Sequence, residues 1–226
     1  MELCQKFKPG RVNCVIVDPP YGVSNLSKQA VTNTGKEYAR RIANDDSPEL
    51  AIKIFKEVMS ILLSKTSDEA DCYIFTSDPV LAAWRVMTEE FMPEFGFRPK
   101  GMLVWEKSGP GMGDLNNPWG LSSEFILYFQ KGKRDRTTKR RSNVIHIEQV
   151  HSSKMIHPHE KPQALLELLI KTSTKEGDFI VDPFGGSGSL AVAARSTNRS
   201  CIAIEMDDNN YKLAKDRFES KEDSFF

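Results

Sequence analysis

The sequence predicts a single α/β domain spanning residues 1–226, built as a three-layer sandwich with helices on both sides of a sheet. Three observations carry that prediction. Six short runs of β-forming residues recur along the chain, and most are apolar throughout rather than alternating, which is the pattern of strands covered on both faces. Stretches with helix start signals fall between those runs, and strands that alternate with helices build a layered α/β sandwich. The length of 226 residues is enough for one full core and too short for two ordinary ones.

In chain order, the first strand is "VNCVIV" (12–17), which stops at Asp18-Pro19-Pro20-Tyr21. Ser47-Pro48 then places a capping side chain before a proline at the first helical position, and Leu50, Ile54, Val58, Ile61 and Leu62 follow on one expected apolar face. "CYIFT" (72–76) is the next strand. Asp78-Pro79 repeats the start signal before "VLAAWRVM", and "MLVWE" (102–106) and "EFILYFQ" (124–130) are further strands. Pro162 opens "PQALLELLIKTS", where Leu165, Leu168 and Leu169 share a face. The strand "DFIVD" (178–182) and the strand "CIAIE" (201–205) flank a glycine-rich turn and a small-residue helix. Asp207 or Asp208 caps the last helix, with Tyr211, Ala214 and Phe218 in line. Three stretches lack this order, at about 22–46, 107–122 and 131–160. They are expected to be substrate-facing insertions, because functional loops of such folds gather at the carboxyl ends of the strands.

Composition narrows the class. Lysine plus arginine and aspartate plus glutamate both number 31, so the net charge is zero and only a local patch can speak for a nucleic-acid partner. No apolar run approaches the ~18 residues of a membrane helix, and "MELCQKFKPG" carries no apolar signal segment. Cys4, Cys14, Cys72 and Cys201 are scattered without a CxxC pair, as expected of reduced thiols in a cytoplasmic protein. His146, His151, His157 and His159 cluster in sequence, but no cysteine or carboxylate set completes a metal spacing, so no metal is expected.

The strongest chemical signal is "DFIVDPFGGSGSLAVAA" (178–194). A strand ends at Asp182, and Gly185, Gly186 and Gly188 let backbone approach a ligand closely. A helix then opens with free N–H groups and the positive end of its dipole. Glu205 ends the next strand about twenty residues on, where an acid accepts hydrogen bonds from ribose hydroxyls. There is no GxxxxGKS or GxxxxGKT, which argues against phosphoryl transfer. A carboxylate at Asp182 would repel a pyrophosphate, but it suits an ammonium or a sulfonium, and S-adenosylmethionine carries both.

Together these residues resemble the amino-methylating DNA methyltransferases, which move a methyl group from S-adenosylmethionine to an exocyclic amine of adenine or cytosine. The family's Asp/Asn/Ser-Pro-Pro-aromatic hallmark reads here as Asp18-Pro19-Pro20-Tyr21, and its Phe-x-Gly-x-Gly hallmark as Phe184-Gly185-Gly186-Ser187-Gly188. "HPHEKP" (157–162) is similar to the family's HPxxKP segment. The catalytic tetrapeptide comes before the cofactor loop, as in the circularly permuted β-type members, and the match runs from about residue 12 to about residue 218.

The resemblance implies a Rossmann-like methyltransferase fold with a mostly parallel sheet of the seven-stranded type. One strand is in doubt, since only eleven residues precede Val12 and many relatives carry a strand there. It implies that Asp182, Phe184, Gly185, Gly186 and Gly188 surround the methionine part of the cofactor, that Glu205 holds the ribose, and that Met206 or Asp207 lies near the adenine. His159 and Lys161 fall near the cofactor carboxylate.

The catalytic roles that the resemblance implies accord with chemistry. An exocyclic amine has its lone pair delocalised into the ring. Acceptors on its N–H groups, supplied by Asp18 and the Pro19 carbonyl, make the nitrogen a nucleophile and stabilise the charge that develops on it. Pro19 and Pro20 stiffen the corner, and Tyr21 offers a face to a base drawn out of the duplex. The basic run Lys131, Lys133, Arg134, Arg136, Lys139, Arg140 and Arg141 is the expected phosphate contact of double-stranded DNA. No sizeable recognition domain is present, so sequence specificity is expected from loops, or from a partner subunit such as the second copy in a homodimer.

Within the family that the chain resembles, Asp at the first catalytic position goes more often with adenine N6 than with cytosine N4, which implies adenine N6 within a restriction–modification type of activity. Cytosine N4 is the alternative. RNA or protein-glutamine methylation and a silent nucleic-acid-binding module rank below it. C5-cytosine chemistry is disfavoured, because it needs a cysteine nucleophile and the sequence has no Pro-Cys pair.

Overall fold

The computed structural model describes residues 5–23, 47–109, 118–134, 138–150 and 160–220. The strands are β1 (Val12–Val17), β2 (Thr66–Thr76), β3 (Phe97–Glu106), β4 (Ser123–Lys131), β5 (Val144–His146), β6 (Phe179–Asp182) and β7 (Ser200–Ala203). The helices are α1 (Pro48–Leu63), α2 (Leu81–Phe91), α3 (Gln163–Ser173), α4 (Ser189–Ser196) and α5 (Asp208–Ser220). No helix among the described residues is long and apolar enough to cross a membrane.

The strands form one sheet in the order β5-β3-β4-β2-β1-β6-β7. Only β4 runs antiparallel to its neighbours. The seven strands of the expected sheet type are therefore all present among the described residues. Six match runs seen in the sequence. The seventh, β5, is three residues long and too short to carry a readable period.

The continuous apolar strands are buried on both faces, as expected. Val15 and Val17 of β1 join Cys72 and Ile74 of β2 beneath α1 and α2. Cys14 and Ile16 of β1 join Tyr73 and Phe75 of β2 beneath α3 and α4. The helix that follows β1 thus lies on one face and the helix that follows β6 on the other. The point where the cover changes side, between β1 and β6, is where open α/β sheets leave a crevice for ligands.

Start signals hold better than faces. The Ser47 hydroxyl accepts the Leu50 N–H at 3.2 Å and Pro48 opens α1. Asp207 accepts the Asn210 N–H at 2.9 Å and caps α5. The expected face of α1 is out of phase by one residue: Ala51, Phe55, Met59, Leu62 and Leu63 are buried, whereas Leu50 is 36% exposed. One position is a rotation of about 100°, and the sheet together with Trp84 of α2, whose ring meets Phe55 edge-on at 5.1 Å, selects the larger stripe. On α5, Tyr211 is exposed and the one buried residue is Arg217, which corrects the expected apolar line.

Candidate active site

β1 delivers Asp18 to the crevice, and the corner after it is held tightly. Gly22 has φ +81°, and a Cβ there would come within 2.3 Å of the Pro48 nitrogen, so glycine lets the turn sit against the start of α1. Among the described residues the Asp18 carboxylate meets Tyr21 and Lys161. Oδ1 accepts the Tyr21 hydroxyl at 2.5 Å, and Oδ2 lies 2.7 Å from the Lys161 ammonium. Tyr21 is wedged by Trp84, ring edge to ring face, with centroids 6.2 Å apart. Pro19 is buried and Pro20 half-buried. The four residues of the tetrapeptide thus form one unit.

Across the switch point, β6 delivers Asp182. Its backbone carbonyl accepts the Ile204 N–H at 2.8 Å, and Ile204 in turn accepts the Gly185 N–H at 2.7 Å. The Asp182 carboxylate accepts the Phe184 N–H at 3.0 Å. Glu205 braces the loop from the other side. One carboxylate oxygen accepts the Gly186 N–H at 2.8 Å, and the other accepts the N–H groups of Met206 and Asp207, each at 2.8 Å. Gly188 opens α4 with φ +69°, and a Cβ on it would lie 2.9 Å from the Ala214 Cβ of α5. Met206 stands exposed beside Glu205.

A network that the sequence did not reveal supports this loop. Arg217 of α5 pairs with Glu160 at 2.5 Å, both buried, and donates to Ser189 Oγ at 2.9 Å. Ser189 and Ser187 share a hydrogen bond of 2.7 Å. Glu160 belongs to the "HPHEKP" segment, so this residue, the glycine loop and α5 are pinned together.

Lys161 faces the corner that follows β1. Besides Asp18 it meets Glu124 Oε2 at 3.1 Å, and Glu124 Oε1 lies 2.5 Å from Lys107. Burial alone would lower the Lys161 ammonium, but the Asp18 and Glu124 carboxylates hold it above the usual lysine range. Its charge is thus shared by two protein carboxylates. His159 and Arg136 lie outside the described residues, as do most of the 22–46 insertion and residues 110–117.

Burial pushes the Asp182 carboxyl up to about 7. The Phe184 N–H opposes that rise, and the nearby Asp18 and Glu205 charges add to it. An unfolded aspartate titrates near 3.9, so between about pH 4 and 7 the folded protein binds the extra proton. The contribution of Asp182 to stability is thus fully present below about pH 4 and is lost as pH rises to about 7. A cationic ligand beside Asp182 prefers the ionised form. Cofactor affinity is therefore expected to rise with pH through about 7, and titration of Asp182→Asn by calorimetry should lose that dependence.

The basic run divides. β4 is antiparallel, and its last residue Lys131 pairs with Ala70 within β2 and with Phe97 at the start of β3, so Lys131 and the exposed Lys133 lie toward the end of the sheet remote from Asp18. Arg134 is turned inward to an ion pair with Asp178, and both are largely buried. The Arg134 charge that the sequence offered to a phosphate is thus engaged within the fold. Lys139, Arg140 and Arg141 are exposed and lead into β5, beside β3. Of the tryptophans near the second insertion, Trp105 is buried and donates to the Ile147 carbonyl at 2.7 Å, while Trp119 is 81% exposed. His146 lies 2.7 Å from Glu106 on the outer strand.

Comparison with known proteins agrees with this geometry. A family model described as DNA methylase matches residues 12–216. The chain is 25% identical over 245 residues to the type II methyltransferase M2.DpnII of Streptococcus pneumoniae, covering 97% of this chain and 87% of that protein. It is 26% identical over 239 residues to the type II methyltransferase M2.LlaDCHI of Lactococcus lactis subsp. cremoris, covering 96% and 85%. Among solved structures, the M1.HpyAVI complex with SAM superposes with a TM-score of 0.65 at 23% identity, over 92% of this chain and 89% of that one. The cytosine-N4-specific PvuII DNA methyltransferase superposes with a TM-score of 0.71 at 18% identity, over 96% and 83%. At these identities the two structures speak for the fold.

Proposed function

The chain belongs to the N6/N4 family of DNA methylases, and from that premise we propose that it methylates the exocyclic N6 of adenine at a specific sequence in double-stranded DNA, with the base flipped out of the duplex, in the bacterial cytoplasm. The observation that supports the reading is that Asp18 directly follows β1 and Asp182 ends β6, the two neighbouring parallel strands that flank the switch point.

The family's donor, S-adenosylmethionine, supplies a methyl group on a sulfonium. The residues present suit it. Asp182 offers a buried carboxylate to a cation, the loop from Phe184 to Gly188 brings backbone close, and Glu205 stands where ribose hydroxyls are accepted. Met206 gives an exposed apolar surface for an adenine ring.

On the substrate side, the Asp18 carboxylate and the Pro19 carbonyl accept the two N–H groups of the amine. They localise its lone pair and stabilise the positive charge that grows on nitrogen. Tyr21 fixes one oxygen of Asp18, and the tetrapeptide's rigidity keeps both acceptors aimed at one nitrogen. Flipping costs a few kcal/mol of lost stacking and pairing. Among the described cations of the basic run, the exposed Lys139, Arg140 and Arg141 are available to hold phosphates beside β3 and β5, and each phosphate neutralised steepens the salt dependence of binding. Aspartate at the first position of the tetrapeptide favours adenine over cytosine within the family.

The test is direct. The protein is incubated with labelled S-adenosylmethionine and DNA, and the DNA is then digested to nucleosides. N6-methyladenine is the expected product. N4-methylcytosine would move the assignment to cytosine on the same scaffold, and label found in RNA or protein but not in DNA would overturn it.

A further inference from the structure

We infer that Glu124 is a positioning residue for methyl transfer, acting through Lys161 to fix the Asp18 carboxylate and to keep its negative charge available to the substrate amine. The inference rests on the reading of Asp18 given above.

Four charges stand in a row: Asp18, Lys161, Glu124 and Lys107. The contacts along it are 2.7 Å, 3.1 Å and 2.5 Å. The side chains are 26%, 11%, 18% and 21% exposed, so water screens them weakly and the pairings are strong. Both ammonium groups are also held over aromatic rings, Lys161 above Phe75 at 5.1 Å and Lys107 above Trp105 at 5.3 Å. The signs alternate and sum to zero.

Glu124 reaches this place because β4 is the antiparallel strand. Every parallel strand presents its last residues to the crevice, whereas β4 presents its first. Glu124 pairs with Trp105 near the end of β3, which sets its carboxylate level with the corner after β1. Its two lysine partners outweigh its burial and hold it below the usual glutamate range, so it is anionic at neutral pH.

The consequence concerns Asp18. An acceptor works by its negative charge, and a buried ammonium on one oxygen neutralises much of that charge. Glu124 competes for the same ammonium at 3.1 Å. Lys161 then anchors Asp18 Oδ2 without being wholly bound to it, while Tyr21 anchors Oδ1. If Glu124 lost its charge, Lys161 would close on Asp18 alone, and the carboxylate would become a weaker acceptor in an altered position.

Glu124→Gln keeps the shape and removes the charge. The expected result is a fall in kcat of about tenfold or more, with KM for DNA and Kd for S-adenosylmethionine changed by less than about threefold. Glu124→Gln also leaves Lys107 without its carboxylate, which lowers stability by a separate route. The double variant Glu124→Gln/Lys107→Gln removes that second effect. It should regain the thermal midpoint of the unaltered protein but not its kcat, because Lys161 still has only Asp18. Wild-type kcat in Glu124→Gln, or kcat that returns with stability in the double variant, overturns the inference. Methyl transfer by the unaltered chain is measured first. If it is absent, the reading of Asp18 fails and this inference fails with it; if it is present, the two variants decide the role of Glu124 alone.

Discussion

Asp18→Asn is expected to lower the rate of methyl transfer by about 10²–10³-fold, the usual cost of removing one preorganised charged or polar group from a transition state. The change is isosteric, so the corner keeps its shape. Tyr21 still has an oxygen to donate to, and Lys161 keeps Glu124 as an ion partner at 3.1 Å. What disappears is the negative charge opposite the amine, together with one of the two oxygens able to accept from it. An amide NH2 turned to that place would meet the amine as donor against donor. The effect should therefore appear in kcat, measured in single turnover with labelled cofactor, while cofactor affinity stays within a few-fold because Asp182 and the glycine loop are untouched. Undiminished transfer by this variant would remove Asp18 from the mechanism.

Arg217→Met is the variant expected to cost the most stability, about 3–5 kcal/mol by urea denaturation, the range for breaking one side of a buried ion pair. Arg217 is 8% and Glu160 5% exposed, 2.5 Å apart. Methionine fills most of the space but removes the Arg217 cation from beside the buried Glu160 carboxylate, in a region of low dielectric. Adding Glu160→Gln should recover most of the loss, since a neutral pair has less to desolvate. Arg217 also holds Ser189, which shares a hydrogen bond with Ser187 of the glycine loop, so the single variant should bind cofactor more weakly even where it remains folded. A double variant no more stable than the single one would show that the ion pair is not the source of the loss.

These two variants mark where the sequence was legible and where it was not. Asp18 could be picked out because two prolines end a buried run right after it, a pattern that no ordinary strand needs. The glycine loop and Glu205 were legible for the same reason: their function demands unusual residues at a fixed local spacing. Arg217 was not, because in a helix with mostly charged and polar neighbours an arginine reads as a solvated one. Only the arrival of Glu160 from 57 residues away makes it a buried residue. Arg134 misled in the opposite sense. It sits in a basic run, and nothing nearby announces that Asp178 neutralises it.

The amino-acid sequence by itself determined the strands with two covered faces, the capped starts of α1 and α5, the stiff corner at Asp18 and the glycine loop with its acid. All of these depend on residues within one turn or one strand, where propensity, φ restriction and hydrogen bonding act locally. Tertiary structure alone decided which stripe of α1 is buried, that a three-residue β5 completes the sheet, and that Lys161 is shared by Asp18 and Glu124. Those outcomes depend on the order and direction of the strands. One antiparallel strand, β4, carries Glu124 to the end of the sheet where the parallel strands finish, and no local pattern records the direction in which a strand will run.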